Sequence, residues 1–535
     1  MDFDLLRQRA TGTVATFPAE DLAFLAEEAF ARLSFTFTRA HLDRLIAVAN
    51  GPASSANDRL VAAILLRNAA ISARGALPLC QDTGIACVFG WRDAGITVDG
   101  DETGSLARGV ERAYASRHLR FSTTVPSSLF DESDPGNNLP AQIALFASGN
   151  GETGTADEPA RTAYRFLFCA KGGGSSNKTS LTQATKAILS KDAFDRYLRE
   201  EIPRLGVAAC PPYKVCVVVG GLSPEQNLLA LKLATADGLE ETPPGWPTDV
   251  LGAVPLRARE WESRVLEIAA ETGLGAQFGG TALAAEARVY RLPRHGASCP
   301  ISIGVSCSAH RNLKGYIDRT GIYLERTVAR PEDVPGFAEA VARSDGIARG
   351  ALSIDLSLGI ESARSALAGI EPGTPVLLSG PLLVARDAAH ARWRRDLAEK
   401  GALPDYVARY PIMYAGPAET PPGYPLGSFG PTTAGRMDEY ADELMSNGAA
   451  LVTVAKGNRS EGWRAACGRY RATYLGTVGG AAALIAAEHV VSATILDYPD
   501  LGMEAVRLVE VKNLPAFVLI NDRGEDFYRS LKGER

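Results

Sequence analysis

The 535-residue chain contains no Cys-x-x-Cys pair, which removes the usual spacings of structural zinc sites. No run of Lys and Arg stands out, the formal net charge is −6 and the pI is near 5.7. There is thus no net electrostatic draw toward nucleic acid. The N-terminal stretch MDFDLLRQRATG has no apolar core, so no secretory leader is expected. The longest small-apolar stretch, LGTVGGAAALIAA (475–487), is Gly-rich and ends at Glu488, too short to span a bilayer. There is no internal repeat and no low-complexity tract. These absences predict a soluble, cytoplasmic globular protein with neither a nucleic-acid nor a membrane partner.

The chain does have the length for two or more domains, and 46% of its residues are hydrophobic. Its eight cysteines stand at 80, 87, 169, 210, 216, 299, 307 and 467. Without a secretion signal they read as reduced thiols, some of them possible metal ligands. Leu22, Leu25, Ala26, Ala29, Phe30 and Leu33 follow helical spacing, and a second helix is predicted from about Asp58 to Ala73. Strand candidates are 85–90, 213–221, 287–293 and 301–307. Residues 328–370 read as a connection. Beyond it, strands at 376–385, 412–416 and 449–457 alternate with helices at 387–400 and around 434–447, which predicts an α/β unit.

Several motifs bear on chemistry. HGASCPISIGVSCSAH (295–310) places Cys299 and Cys307 between His295 and His310. That order is compatible with a small zinc site, or with one cysteine serving something larger. KGGGSSNKT (171–179) resembles a phosphate loop, but Asn177 stands where the second Gly of that pattern is required. A Gly-rich loop approaching an anion, or a plain turn, remains open. LCQDTG (79–84) places a thiol beside an amide and a carboxylate; taken alone it reads as a buried Cys and a turn Asp. Arg386, Arg436 and Lys456 each follow a predicted strand of the C-terminal unit. Singly each reads as surface charge. Together, at the strand ends where α/β sheets bind ligands, they suit a dianion.

LCQDTG, KGGGSSNKT, ACPPY, LGAQFGG, RLPRHGASCP, GVSCSAHRNLK, ARDAAH, YAGPAETPPGYPLGSFGPTTAGRMD, AKGNRS and YPDLGMEA occur in this order across nearly the whole chain. In this combination the sequence resembles the class I, iron–sulfur fumarate hydratases. The resemblance implies a mixed α+β architecture: a large helix-rich N-terminal domain with a mixed sheet (1–328), a connecting segment (329–370) and a smaller swivelling-type α/β domain (371–535). The active site is expected between them. It implies a [4Fe–4S] cluster on Cys80, Cys210 and Cys307 with one iron open, leaving Cys299 a buried structural thiol. Thr432 would remove the substrate proton, and Asp82 and His295 would serve the hydroxyl side. Gln81, Asp82, Arg120, Gly174, Arg386, Arg436 and Lys456 would bind a small dicarboxylate. A homodimer is implied as well. The chain departs from the family pattern at Ile85, Lys214, Ser302, Ile303 and His310. These departures keep open a hydratase of mesaconate or tartrate in the same fold. A rival of another class, a zinc-stabilised anion-binding regulatory protein, rests on the His/Cys/Cys/His segment 295–310.

Overall fold

The computed structural model describes residues 1–8, 15–148, 162–240, 246–342 and 350–533. Among these, three large sheets with flanking helices form a mixed α+β architecture, as expected. The N-terminal part holds two large sheets, not one. A six-stranded sheet has the order Phe3–Gln8, Gly321–Glu325, Asn312–Ile317, Tyr164–Lys171, Ile85–Asp93, Gln142–Ser148. A five-stranded sheet has the order Leu256–Arg257, Ala284–Arg294, Tyr213–Gly221, Cys299–Ser306, Ser180–Ala184. Tyr213–Gly221 is buried along its whole length, which explains the unbroken apolar run VCVVV: a strand covered on both faces has no reason to alternate.

The seven-stranded C-terminal sheet runs Leu352–Asp355, Pro375–Val384, Ile412–Met413, Val452–Ala455, Thr473–Gly476, Val506–Ile520, Val490–Asp497. Pro375–Val384 also pairs antiparallel with Val506–Ile520, so five strands close into a ring and lose their free edges. Helix Asp387–Lys400 matches the sequence expectation, with Asp387 in its first turn and Gly401 in the left-handed conformation at its end. Two features differ. Leu352–Asp355, inside the segment read as a connection, pairs with Pro375–Val384 and joins the sheet. The stretch around 434–447 begins as a 3-10 turn, Ala434–Tyr440, before helix Ala441–Ser446.

Helix Ala56–Ser72 carries the loop with Cys80 at its C-terminal end. Ser55 caps its N-terminus, and the buried Asp58 completes a capping box. The Asp58 carboxylate also accepts from the amides of Ala276 and Thr281, at 2.7 and 2.8 Å. One apolar core runs through both parts of the chain, from Phe37 to Tyr528, with Phe278 stacked on Phe517 at 4.3 Å. Among the described residues, no helix is long and apolar enough to cross a membrane.

Candidate active site

Cys210 and Cys307 sit at one end of the five-stranded sheet, just before Tyr213–Gly221 and just after Cys299–Ser306. The Ser308 amide donates to the Cys210 carbonyl at 3.0 Å and locks the two loops together. Cys210 has a left-handed backbone, φ 61°, an uncommon conformation for a side-chain-bearing residue. The Cys80 loop closes in from helix Ala56–Ser72, with the Leu79 carbonyl held by Asn68 at 3.0 Å. The three thiols lie close enough to influence one another electrostatically. Burial pushes the Cys80 thiol up, against the pull of Arg311. Burial likewise pushes Cys210 up to about 11, although Lys456 Nζ donates to its sulfur at 2.7 Å.

Lys456 comes from the C-terminal part, so the site is a seam between the two halves. Other bonds cross the same seam. Gln81 Nε2 donates to the Pro431 carbonyl at 3.1 Å, Arg120 to the Gly416 carbonyl at 3.0 Å, and Ser428 Oγ to the Pro78 carbonyl at 2.5 Å. Gln277 donates to the carbonyls of Pro211 and Gly479 and accepts from the Gly479 amide. A side chain at Gly479 would meet the Cys210 sulfur at 2.5 Å, so only glycine lets this loop approach the thiol.

Asp82 lies on the wall beside Cys80. It pairs with Arg120 at 2.9 Å and accepts from the Gly173 amide at 2.9 Å. Burial alone would raise its pKa, but Arg120 and then Arg311 outweigh it and bring it to about 2. The KGGGSSNKT motif thus acts through backbone: Gly173 holds the carboxylate, and Gly174 packs toward Ala209, next to Cys210. On the opposite wall, Thr432 is buried and fixed by backbone bonds to Tyr414 and Lys456, at 2.7 and 3.1 Å. Arg386 is buried and pairs with Glu504 at 2.5 Å. A side chain at Gly416 would come within 3.1 Å of its guanidinium carbon, so glycine leaves the space beside Arg386 clear. Arg436 is more open and pairs with Asp387 at 2.8 Å.

The structure therefore gathers Cys80, Gln81, Asp82, Arg120, Gly174, Cys210, Cys307, Arg386, Thr432 and Lys456 along one seam, with Arg436 at its C-terminal side. It does not gather His295, which is exposed on the turn between Ala284–Arg294 and Cys299–Ser306, at the far end of the sheet. The same strand separates Cys299 from Cys307, so the two cysteines and two histidines of that segment cannot share one zinc ion. Cys299 is fully buried, as a structural thiol should be. Sequence reading also missed residues. Arg311 is buried next to Cys80, Cys307 and Asp82, and its Nε and Nη1 have no hydrogen-bond partner among the described residues. Glu504 and Gln277 act through other residues; they stand in YPDLGMEA and LGAQFGG, but nothing in those motifs names the groups they meet. The departures Lys214 and His310 meet at one carboxylate. Lys214 pairs with Asp237, and His310 Nε2 bonds its other oxygen at 2.7 Å, behind the thiols.

The comparisons agree with this geometry. Residues 24–315 match the family model described as fumarate hydratase (fumerase), and residues 325–531 match the one described as fumarase C-terminus. The chain belongs to the class I fumarate hydratase family. It is 42% identical to fumarate hydratase 2 of Leishmania major, over 95% of this chain and 86% of the relative. It is 42% identical to the aerobic class I fumarate hydratase of Escherichia coli (strain K12), over 96% of this chain and 90% of the relative. A shorter match, 31% identical over 30% of this chain, is to a putative L(+)-tartrate dehydratase subunit beta of Methanocaldococcus jannaschii. The family is one of hydro-lyases, and a seam lined with thiols and with cations from both halves suits such a reaction with an anionic substrate.

Proposed function

We propose that the chain reversibly hydrates fumarate to (S)-malate, using a [4Fe–4S] cluster held by Cys80, Cys210 and Cys307. The observation that carries this reading is the convergence of these three thiols on the seam, beside Arg311, whose Nε and Nη1 have no partner among the described residues. Thiolates suit iron–sulfur clusters. Among the described residues, no three His, Cys, Asp or Glu side chains are placed to hold a single ion, whereas a cluster takes each thiolate on a different iron. Arg311 and Lys456 supply the positive charge that a set of buried thiolates requires. When bound, the cluster supplies a Lewis-acid iron for the substrate's hydroxyl and carboxylate oxygens.

The remaining work falls to the chain. Arg120, Arg386, Arg436 and Lys456 hold the dianion, with Gln81 and the backbone at Gly174 completing the pocket. Asp82, a carboxylate at neutral pH because Arg120 and Arg311 overcome its burial, accepts the proton released by water in the hydration direction. In the reverse direction Thr432 takes the carbon-bound proton; a hydroxyl is a poor base unless cations favour its alkoxide, and Lys456 is its backbone neighbour. His295 lies beyond the far end of the strand Cys299–Ser306, away from these groups, and takes no step here. The division at 328 and 371, a cytoplasmic setting and a homodimer belong to the same reading.

Purification without oxygen, iron and sulfide analysis, and assays on fumarate, mesaconate and tartrate test this reading. Iron and sulfide near four per chain and fumarate as the preferred substrate are expected. Cys307→Ser should lose the iron, while Cys299→Ser should keep it. Iron retained in Cys307→Ser, or tartrate turned over much faster than fumarate, would sink the reading.

A further inference from the structure

Most cations along the seam are engaged by the chain itself. Arg120 pairs with Asp82 and donates to the Gly416 carbonyl, Arg386 pairs with Glu504, Arg436 pairs with Asp387, and Lys456 Nζ donates to the Cys210 sulfur. Arg311 differs. It is 5% exposed, and its Nε and Nη1 are shut off from solvent with no partner among the described residues. A buried guanidinium with unmade donors is costly, because each donor has given up water and received nothing in exchange.

The backbone fixes where this side chain starts. Arg311 follows the turn after Cys307, in which the His310 amide donates to the Cys307 carbonyl at 3.0 Å. Its own carbonyl accepts from the Ala170 amide at 3.0 Å, and strand Asn312–Ile317 begins at the next residue. The stem therefore leaves from a point tied to two strands and to the Cys307 loop. Its far end runs beside Gly172. A side chain there would come within 2.8 Å of the Asp82 carboxylate and 3.6 Å of Arg311 Nη2, so the glycine leaves both groups their space.

Sulfur is what Arg311 faces. Burial alone would lower its pKa, but Cys80, then Cys307, then Asp82 outweigh burial and hold the guanidinium charged. The Asp82 carboxylate is already taken by Arg120 and by the Gly173 amide, both at 2.9 Å. That leaves the two cysteines, which come from different loops. In a [4Fe–4S] cube each thiolate binds its own iron, and any two irons share bridging sulfides. A donor set between two cysteine ligands therefore meets cluster sulfur.

We propose that Arg311 is a cluster-binding residue: its Nε and Nη1 donate to cluster sulfur on the side of Cys80 and Cys307, and so protect the open iron from oxidative loss. The proposal rests on the cluster reading of the three thiols. Donors and positive charge beside the sulfurs favour the more reduced cluster. The loss they oppose takes two steps. An oxidant such as ferricyanide removes one electron from [4Fe–4S]2+ and becomes ferrocyanide. The [4Fe–4S]3+ so formed releases the iron that has no thiolate, as Fe2+, and leaves [3Fe–4S]1+. Arg311 makes the first step harder. Its task thus differs from that of Arg120, Arg386 and Arg436, which hold the dianion.

Wild type, Arg311→Lys and Arg311→Met, prepared without oxygen and loaded with iron and sulfide, decide it. Under a fixed excess of ferricyanide, the electron paramagnetic resonance signal of the three-iron cluster should appear about 10-fold faster or more in Arg311→Met. The midpoint of the [4Fe–4S]2+/1+ couple should move to more negative potential. Arg311→Lys should fall between, because it keeps the charge and loses the fork of donors; it also decides the matter alone if Arg311→Met does not fold. A wild-type oxidation rate and midpoint in either iron-loaded variant would overturn the proposal and leave the cluster reading standing. So would a KM for fumarate raised about 10-fold or more at the wild-type midpoint, which would assign Arg311 to the substrate instead. A wild type that takes up neither iron nor sulfide removes the cluster reading, and the proposal with it.

Discussion

At the scale of single residues, the site separates groups that would touch substrate from groups that hold them. Arg386 is aimed by Glu504, whose carboxylate also accepts from the Ala388 amide at 2.8 Å. Burial raises the Glu504 pKa, but Arg386 and that amide more than offset it, so the group stays ionised and the pair charged. Glu504→Gln keeps the shape and removes the charge. A charge-assisted bond contributes about 1.5–3 kcal/mol, so KM for fumarate should rise roughly 10- to 100-fold with kcat nearly constant. Steady-state kinetics checks this; an unchanged KM would show that Arg386 needs no such partner. Glu504 stands in the YPDLGMEA motif, yet nothing in the sequence says which cation it meets, because the two are 118 positions apart. Arg311 was hidden for the same reason: Cys80 and Asp82, which it faces, stand on a loop far back in the chain. Arg386, Arg436 and Lys456 were legible as cations that follow predicted strands, whereas Cys80, Cys210 and Cys307 came only from the family resemblance, since LCQDTG alone reads as a buried Cys and a turn Asp. His295 shows the converse, a residue whose motif was legible and whose place was not.

At the scale of elements, helix Ala56–Ser72 and the loop 273–281 form one device through Asp58. The carboxylate caps the helix that leads to Cys80 and grips the loop that presents Gln277 to Pro211, next to Cys210. Asp58→Ala should therefore lower stability by about 2–4 kcal/mol, since it removes a cap and strands buried amides, and should loosen iron retention as well. Urea denaturation and iron analysis of the same preparation test the two effects together. A variant as stable as the parent would show that the amides find other partners. Asp387–Lys400 could be read from its polar face, first-turn Asp and terminal Gly. Leu352–Asp355 could not, since only one of its four residues is buried and its assignment depends on a partner strand some twenty positions on. The short strand Ile412–Met413 was read too long because the residues after it stay buried in an irregular loop.

At the scale of the whole molecule, the shared core predicts that the two halves unfold together. Trp91, Trp246 and Trp261 report on the first half, Trp393 and Trp463 on the second. Urea melts followed by tryptophan fluorescence and by far-UV circular dichroism should coincide in a single transition. Two separated transitions would mean that Phe278, Phe517 and their neighbours add little across the seam. The same seam bears on how the protein matures. All three thiols belong to the first 307 residues made, but the glycine that lies against Cys210 and the lysine that neutralises it are at 479 and 456. On a ribosome the thiols emerge long before their cage exists. A nascent chain therefore exposes soft, oxidisable ligands with no enclosure, and a cluster delivered then would be open to solvent and oxygen. For the proposed cluster, delivery to the finished chain is the timing this architecture favours.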